Sequence, residues 1–129
     1  SSLADLVIEG NFLIALYPGG GEVFDLSIPA LPISLGAFIG TFPRHAVVDN
    51  RLVNGENETT LFVADYSNGL SLYTITDDGV QARGFLDLDI PPETCPEDNC
   101  ATVSLNIKVD ETYAYVVTDS GLSVVRLGF

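Results

Sequence analysis

The sequence predicts an all-β fold of antiparallel strands, and three observations carry that prediction. Short apolar segments recur about every ten residues, and turn residues stand between them. No stretch keeps a helical period for three turns. The vocabulary agrees, being rich in Leu, Val, Ile, Phe and Tyr, with 12 Gly and 7 Pro.

The predicted strands run in order from Asp5–Glu9 and Phe12–Tyr17 through Glu22–Leu26, Ser34–Ile39, Ala46–Asp49 and Leu61–Asp65. They continue as Leu70–Thr76, Val80–Asp87, Thr102–Val109, Ala114–Thr118 and Leu122–Leu127. The punctuation is "PGGG" at Pro18–Gly21, "SNG" at Ser67–Gly69, "DDG" at Asp77–Gly79 and "DSG" at Asp119–Gly121. Several strands, among them "NFLIALY", "LFVAD" and "YAYVVT", are apolar at successive positions. A strand that faces water on one side alternates; one that does not is covered on both faces. In an all-β chain the cover has to come from other sheets.

The chain also repeats itself. "LFVADYSNGLSLYTI", from Leu61, and "AYVVTDSGLSVVRL", from Ala114, align with one residue slipped at the turn. "NFLIALYPGGGEVFDLS", from Asn11, is a more distant version, with Gly21 in the place of Gly69 and Gly121. Without the cysteine-bearing insertion the unit is about 40 to 45 residues, enough for four strands of a β-propeller blade. The repeats fall at residues 4–40, 44–89 and 102–129 of a single all-β domain, and the last lacks its fourth strand. Propellers close with four or more blades, so about three imply a piece of a longer chain, a ring assembled from several chains, or an open stack of sheets whose edges are covered by neighbours, as in a fibre. A β-sandwich of duplicated hairpins is the alternative, and it predicts cleaner alternation.

Charge narrows the partners. Eighteen acids against five bases give a net charge of −13, which argues against nucleic acid and anionic membrane surfaces as partners, since both need a positive patch. No run of 18 apolar residues exists for a membrane-spanning helix. Open sheet edges at the ends of such a repeat array invite pairing with other protein chains or with itself.

Two features point to an oxidising, extracytoplasmic setting: extracellular, at a cell surface, or periplasmic. Cys95 and Cys100 flank four residues and have no histidine or second cysteine pair beside them for zinc. The expected disulfide would stabilise by roughly 2 kcal/mol. Asn57-Glu58-Thr59 is an N-glycosylation triplet, read as part of a polar loop.

The stretch from Phe42 to Gly79, opened by Pro43-Arg44-His45, resembles a blade of the seven-bladed lactonase-like propellers. "AYVVTDSGLSVVRL" and "GGGEVFDLSIPALPISLGAF" are similar to the LVIVD-type repeats of bacterial surface proteins, with Asp25, Pro29, Pro32 and Gly36 at the matching positions. The lactonase resemblance implies that Arg44 and His45 lie at a strand start near a central channel, with His45 as base and Arg44 holding a carboxylate or lactone oxygen. The other repeats carry no such pair, and no nucleophile elbow, P-loop or metalloprotease motif occurs. Asp87, Asp89 and Glu93 form an acidic cluster that would suit calcium by ligand type, without the glycine and terminal glutamate of an EF-hand loop.

The functional expectation is an extracytoplasmic propeller-type module acting through protein contacts or assembly, with no cofactor and no catalysis of its own. The alternatives are a lactonase-like hydrolase fragment using Arg44 and His45, and a carbohydrate-binding propeller presenting tyrosines.

Overall fold

The computed structural model describes residues 5–53, 55–66, 69–76, 78–86, 104–119 and 121–127. Cys95, Cys100, Asp87, Asp89 and Glu93 lie outside the described residues. The strands are β1 (Asp5–Glu9), β2 (Phe12–Tyr17), β3 (Gly20–Asp25), β4 (Ile33–Ile39), β5 (His45–Val53) and β6 (Glu56–Ala64). They continue with β7 (Leu70–Thr76), β8 (Gly79–Leu86), β9 (Ser104–Val109), β10 (Tyr113–Thr118) and β11 (Gly121–Arg126). The described residues therefore hold eleven strands and no helix.

The strands form three antiparallel sheets, each an up-and-down meander of consecutive strands. The first is β1-β2-β3-β4, the central one β5-β6-β7-β8, and the third β9-β10-β11. β11 ends the third sheet at the place where the other two carry a fourth strand, among the described residues.

Two local expectations need correction. β5 and β6 run past the predicted limits of Asp49 and Leu61, because Asn50 pairs with Thr59 and the ladder continues to Val53 opposite Glu56. Asn57 therefore sits exposed in a strand opposite Leu52, and not in a loop. A two-residue connection with Gly55 at φ +83° turns this hairpin, and Asn54-Gly55 is the pair that favours such a turn in sequence. The second correction concerns the repeat register. Tyr17 pairs with Gly20 as Thr118 pairs with Gly121, so Gly20, not Gly21, is the counterpart of Gly121.

The central sheet lies between the other two. Ile14, Leu16, Val23 and Phe38 of the first sheet pack against Ala46, Leu61, Val63, Tyr73 and Ile75 of the central one. From the opposite face Val47, Phe62, Ala64 and Leu70 pack against Ile107, Ala114 and Val116 of the third. Successive residues of β6 thus enter two different cores, and Leu61, Phe62, Val63 and Ala64 are each 0% exposed. This is why "LFVA" does not alternate. Each such larger side chain contributes about 1.5–3 kcal/mol by leaving water. The stacking preserves strand order, with β1 against β5, β5 against β9, and β4 against β8.

Candidate functional site at the loop-bearing end of the sheets

The direction of the meanders brings one set of connections to a single end. It holds the β2–β3 turn, the β4–β5 link at residues 40–44, the β6–β7 turn and the start of β9. Asp5, Arg44, His45, Asp65 and Tyr66 all lie there.

The turn of each sheet holds the entry to the next. The Gly19 N–H donates to Thr41 O at 2.9 Å, and the Gly40 N–H donates to Gly19 O at 2.9 Å. Across the second junction the Ser104 N–H donates to Tyr66 O at 2.9 Å, and Ser104 Oγ donates to Gly69 O at 2.7 Å. Backbone groups that leave the ladders at a sheet boundary need other partners, and these bonds supply them.

Asp65 completes the first junction. It is 1% exposed and ends the apolar run of β6. Its carboxylate accepts from the Thr41 N–H at 3.1 Å, Thr41 Oγ1 at 3.2 Å and the Phe42 N–H at 3.0 Å. A buried carboxylate survives only when its lone pairs are used, and these donors use them. Gly40 leaves the room, since a Cβ there would stand 2.6 Å from Asp65 Oδ2.

Arg44 and His45 have different neighbours. The exposed Arg44 guanidinium lies over the Phe42 ring, 5.1 Å from its centroid. Phe42 in turn meets the Tyr66 ring at 5.8 Å. His45 instead turns its Nδ1 towards Asp5 Oδ2 at 3.8 Å, across the boundary between the first and central sheets. The pair does not converge on one reacting atom, and no nucleophilic side chain shares a hydrogen bond with His45 among the described residues. What this end offers is a cation on the Phe42 ring, with the Tyr66 ring beside that one and held in strain. Tyr66 has φ +42°, and among the described residues it alone, apart from glycines, lies in the left-handed region.

A cleft of about 460 Å³ opens between the first and central sheets beside β4 and β8, lined by Phe38, Ile39, Ser71, Tyr73 and Val80. Tyr73 donates its hydroxyl to Ile39 O at 3.3 Å, and its ring meets Phe38 at 4.7 Å. Burial, followed by the Asp65 charge, holds the Tyr73 phenol above its usual range, so it stays a neutral donor. No group of three His, Cys, Asp or Glu side chains suitable for a metal occurs among the described residues.

At the opposite end the extended hairpin places Arg51 against the third sheet. Its guanidinium donates to Glu111 O at 3.1 Å and to Asp110 O, and lies over the Phe62 ring at 5.1 Å. Asp49 Oδ2 is 3.0 Å from its Nε. Asp110 organises the same turn, accepting from the Tyr113 N–H at 2.7 Å and the Thr112 N–H at 2.8 Å. Those two bonds, the Tyr113 one first, hold its carboxyl below the ordinary value of 3.8. A depressed carboxyl stabilises the fold above its unfolded pKa, and that contribution is lost as pH falls through the folded value. Carbon-detected NMR titration should therefore place the Asp110 midpoint below 3.8, and a midpoint above it would show the turn to be open in solution.

Sequence reasoning singled out Arg44 and His45 and missed the clamps at Asp65 and Arg51. A charge directly abutting a doubly apolar strand was the signal for Asp65; the Asn54-Gly55 turn was the signal for Arg51. Comparisons with protein families, with curated proteins and with solved structures returned no match.

Proposed function

We propose that the chain is an extracytoplasmic propeller-type repeat module that works through contact with other protein chains or by assembly, and carries out no reaction of its own. One observation carries this reading. The central sheet is covered on both faces, whereas the first and third sheets each turn an apolar face outward, with Leu6, Ile8, Val117, Leu122 and Val124 between 47% and 68% exposed. Contiguous apolar surface of this kind marks a site of association.

The blade reading draws support from the way the sheets stack. A sandwich pairs two sheets and solvates their outer faces. Here three meanders follow one another in the same strand order, as successive blades do. The exposed side chain of Asn57 at the far end of β6 suits a glycosylated, extracytoplasmic chain.

Sedimentation equilibrium of the purified chain across the micromolar range tests the reading. Association above the 13.8 kDa of one chain is expected, with bound hydrophobic dye displaced as it proceeds. A chain that stays at 13.8 kDa throughout and also binds no such dye would show that these faces attract nothing, and would overturn it.

A further inference from the structure

The two outward faces are not alike, and the difference follows from the register. Tyr17, Asp65 and Thr118 hold equivalent places where the second strand of each sheet meets its turn. Counting back from them, Leu16, Ala64 and Val117 correspond, as do Ile14, Phe62 and Tyr115. In the first sheet Ile14 and Leu16 face the central sheet; in the central sheet Phe62 and Ala64 face the third. The same positions of the third sheet, Tyr115 and Val117, lie on its outward face, against which no other sheet packs among the described residues.

The other set runs the opposite way. Leu61 and Val63 of the central sheet receive the first sheet, and Ala114 and Val116 of the third receive the central one. Their counterparts in the first sheet are Leu13 and Ala15, which lie on its outward face. There Leu6, Ala15 and Glu22 form one cross-strand row, and Ile8, Leu13 and Phe24 another. The three described sheets therefore present on one side a face of the kind that receives a sheet, and on the other a face of the kind that is received.

Charge follows the same division. The outward face of the first sheet carries Glu22, and residues 1–43 contain no lysine or arginine. The outward face of the third sheet carries Lys108 beside Tyr115, and Arg126 beside Tyr113; its three strands contain no acid, and the one carboxylate the described contacts bring to it is Asp110, which accepts from the Tyr115 hydroxyl at 3.1 Å at the β9–β10 end. Two of the five bases of a strongly acidic chain are thus on this one face. Like faces meeting would set acid against acid or base against base; unlike faces would not.

We infer that the outward face of the third sheet docks on the outward face of the first sheet of a second copy of this chain, head to tail, repeating the contact already made twice within the chain. The inference rests on the assembly reading above and names its surface: faces, not edges. A head-to-tail contact either closes into a ring or continues as an open stack.

Complementation between two blocked variants tests it. Leu6→Gln with Ile8→Gln makes the first sheet's outward face polar without adding charge, and Leu122→Gln with Val124→Gln does the same for the third; all four positions are more than half exposed, so each variant should unfold at the urea concentration of wild type diluted to single chains. By sedimentation velocity, wild type should assemble, each variant alone should remain one chain, and an equimolar mixture of the two should stop at two chains. A head-to-tail contact alone requires that last result, since the mixture holds one intact face of each kind. Wild type staying single at every concentration would overturn the inference. So would either variant pairing with itself, because that is a like-face contact. Variants that assemble as wild type does would overturn the face assignment while leaving association itself standing.

Discussion

Replacing Asp65 by alanine should destabilise the fold by about 3 kcal/mol or more, the largest effect expected of any substitution outside the apolar cores. Its carboxylate accepts the Thr41 and Phe42 N–H groups, and hydrogen bonds to a charged partner contribute about 1.5–3 kcal/mol each. Removing it leaves two part-buried donors of the β4–β5 link without their acceptor, which costs more than losing the bonds alone. Asp65→Asn keeps one acceptor oxygen and should cost about half as much. Because Thr41 Oγ1 also donates to Asp65, Thr41→Val should cost about 1 kcal/mol in wild type and much less in the alanine background. Urea unfolding of the four proteins gives the coupling directly. Additive effects would mean that Asp65 does not hold the link.

Arg51→Met should cost about 2–4 kcal/mol, for a related reason at the other junction. The methionine keeps most of the buried stem but removes both donors to the Asp110 and Glu111 carbonyls, and the cation over Phe62. Arg51→Lys keeps the charge but not the planar fork that reaches two carbonyls at once, so it should restore only part of the loss. The damage should be local to the third sheet. Amide exchange should quicken at Ile107 and Val116 before it does at Ile14 or Val23. Equal quickening in all three sheets would mean that Arg51 does not act as a junction clamp.

The strands were legible in the sequence because the two periodic signals agreed: apolar segments, and turn residues between them. β1, β2 and β7 begin and end where those signals place them. The β5–β6 extension was hidden because Asn50–Thr60 is polar apart from Leu52 and Val53, and polarity reads as loop. Only the Asn54-Gly55 pair betrayed a turn between strands. Double apolarity of "LFVA" correctly demanded cover on both faces, which the two flanking sheets provide. What covers the outer sheets could not be read from composition, because Tyr115 and Phe62 look alike until the register shows which neighbour each one faces.

The candidate site was harder. Arg44 and His45 attracted notice as rare residue types, yet their side chains have separate partners in Phe42 and Asp5. Asp65 and Arg51 are common residue types whose importance lies in burial, and burial is a property of the fold. Lys108 and Arg126 become a pair only when antiparallel registry places both on one face of the third sheet.

Side-chain footprinting by hydroxyl radicals, read by mass spectrometry in dilute and in concentrated solution, tests the central claim most directly. On association, Leu6, Ile8 and Leu13 should lose reactivity together with Tyr115, Leu122 and Val124, while Leu52 at the hairpin tip should not change. Protection confined to β11 or β8, or none at all on these two faces, would contradict the account: the chains would then meet through their edges, and the exposed faces would not be where this protein makes its contacts.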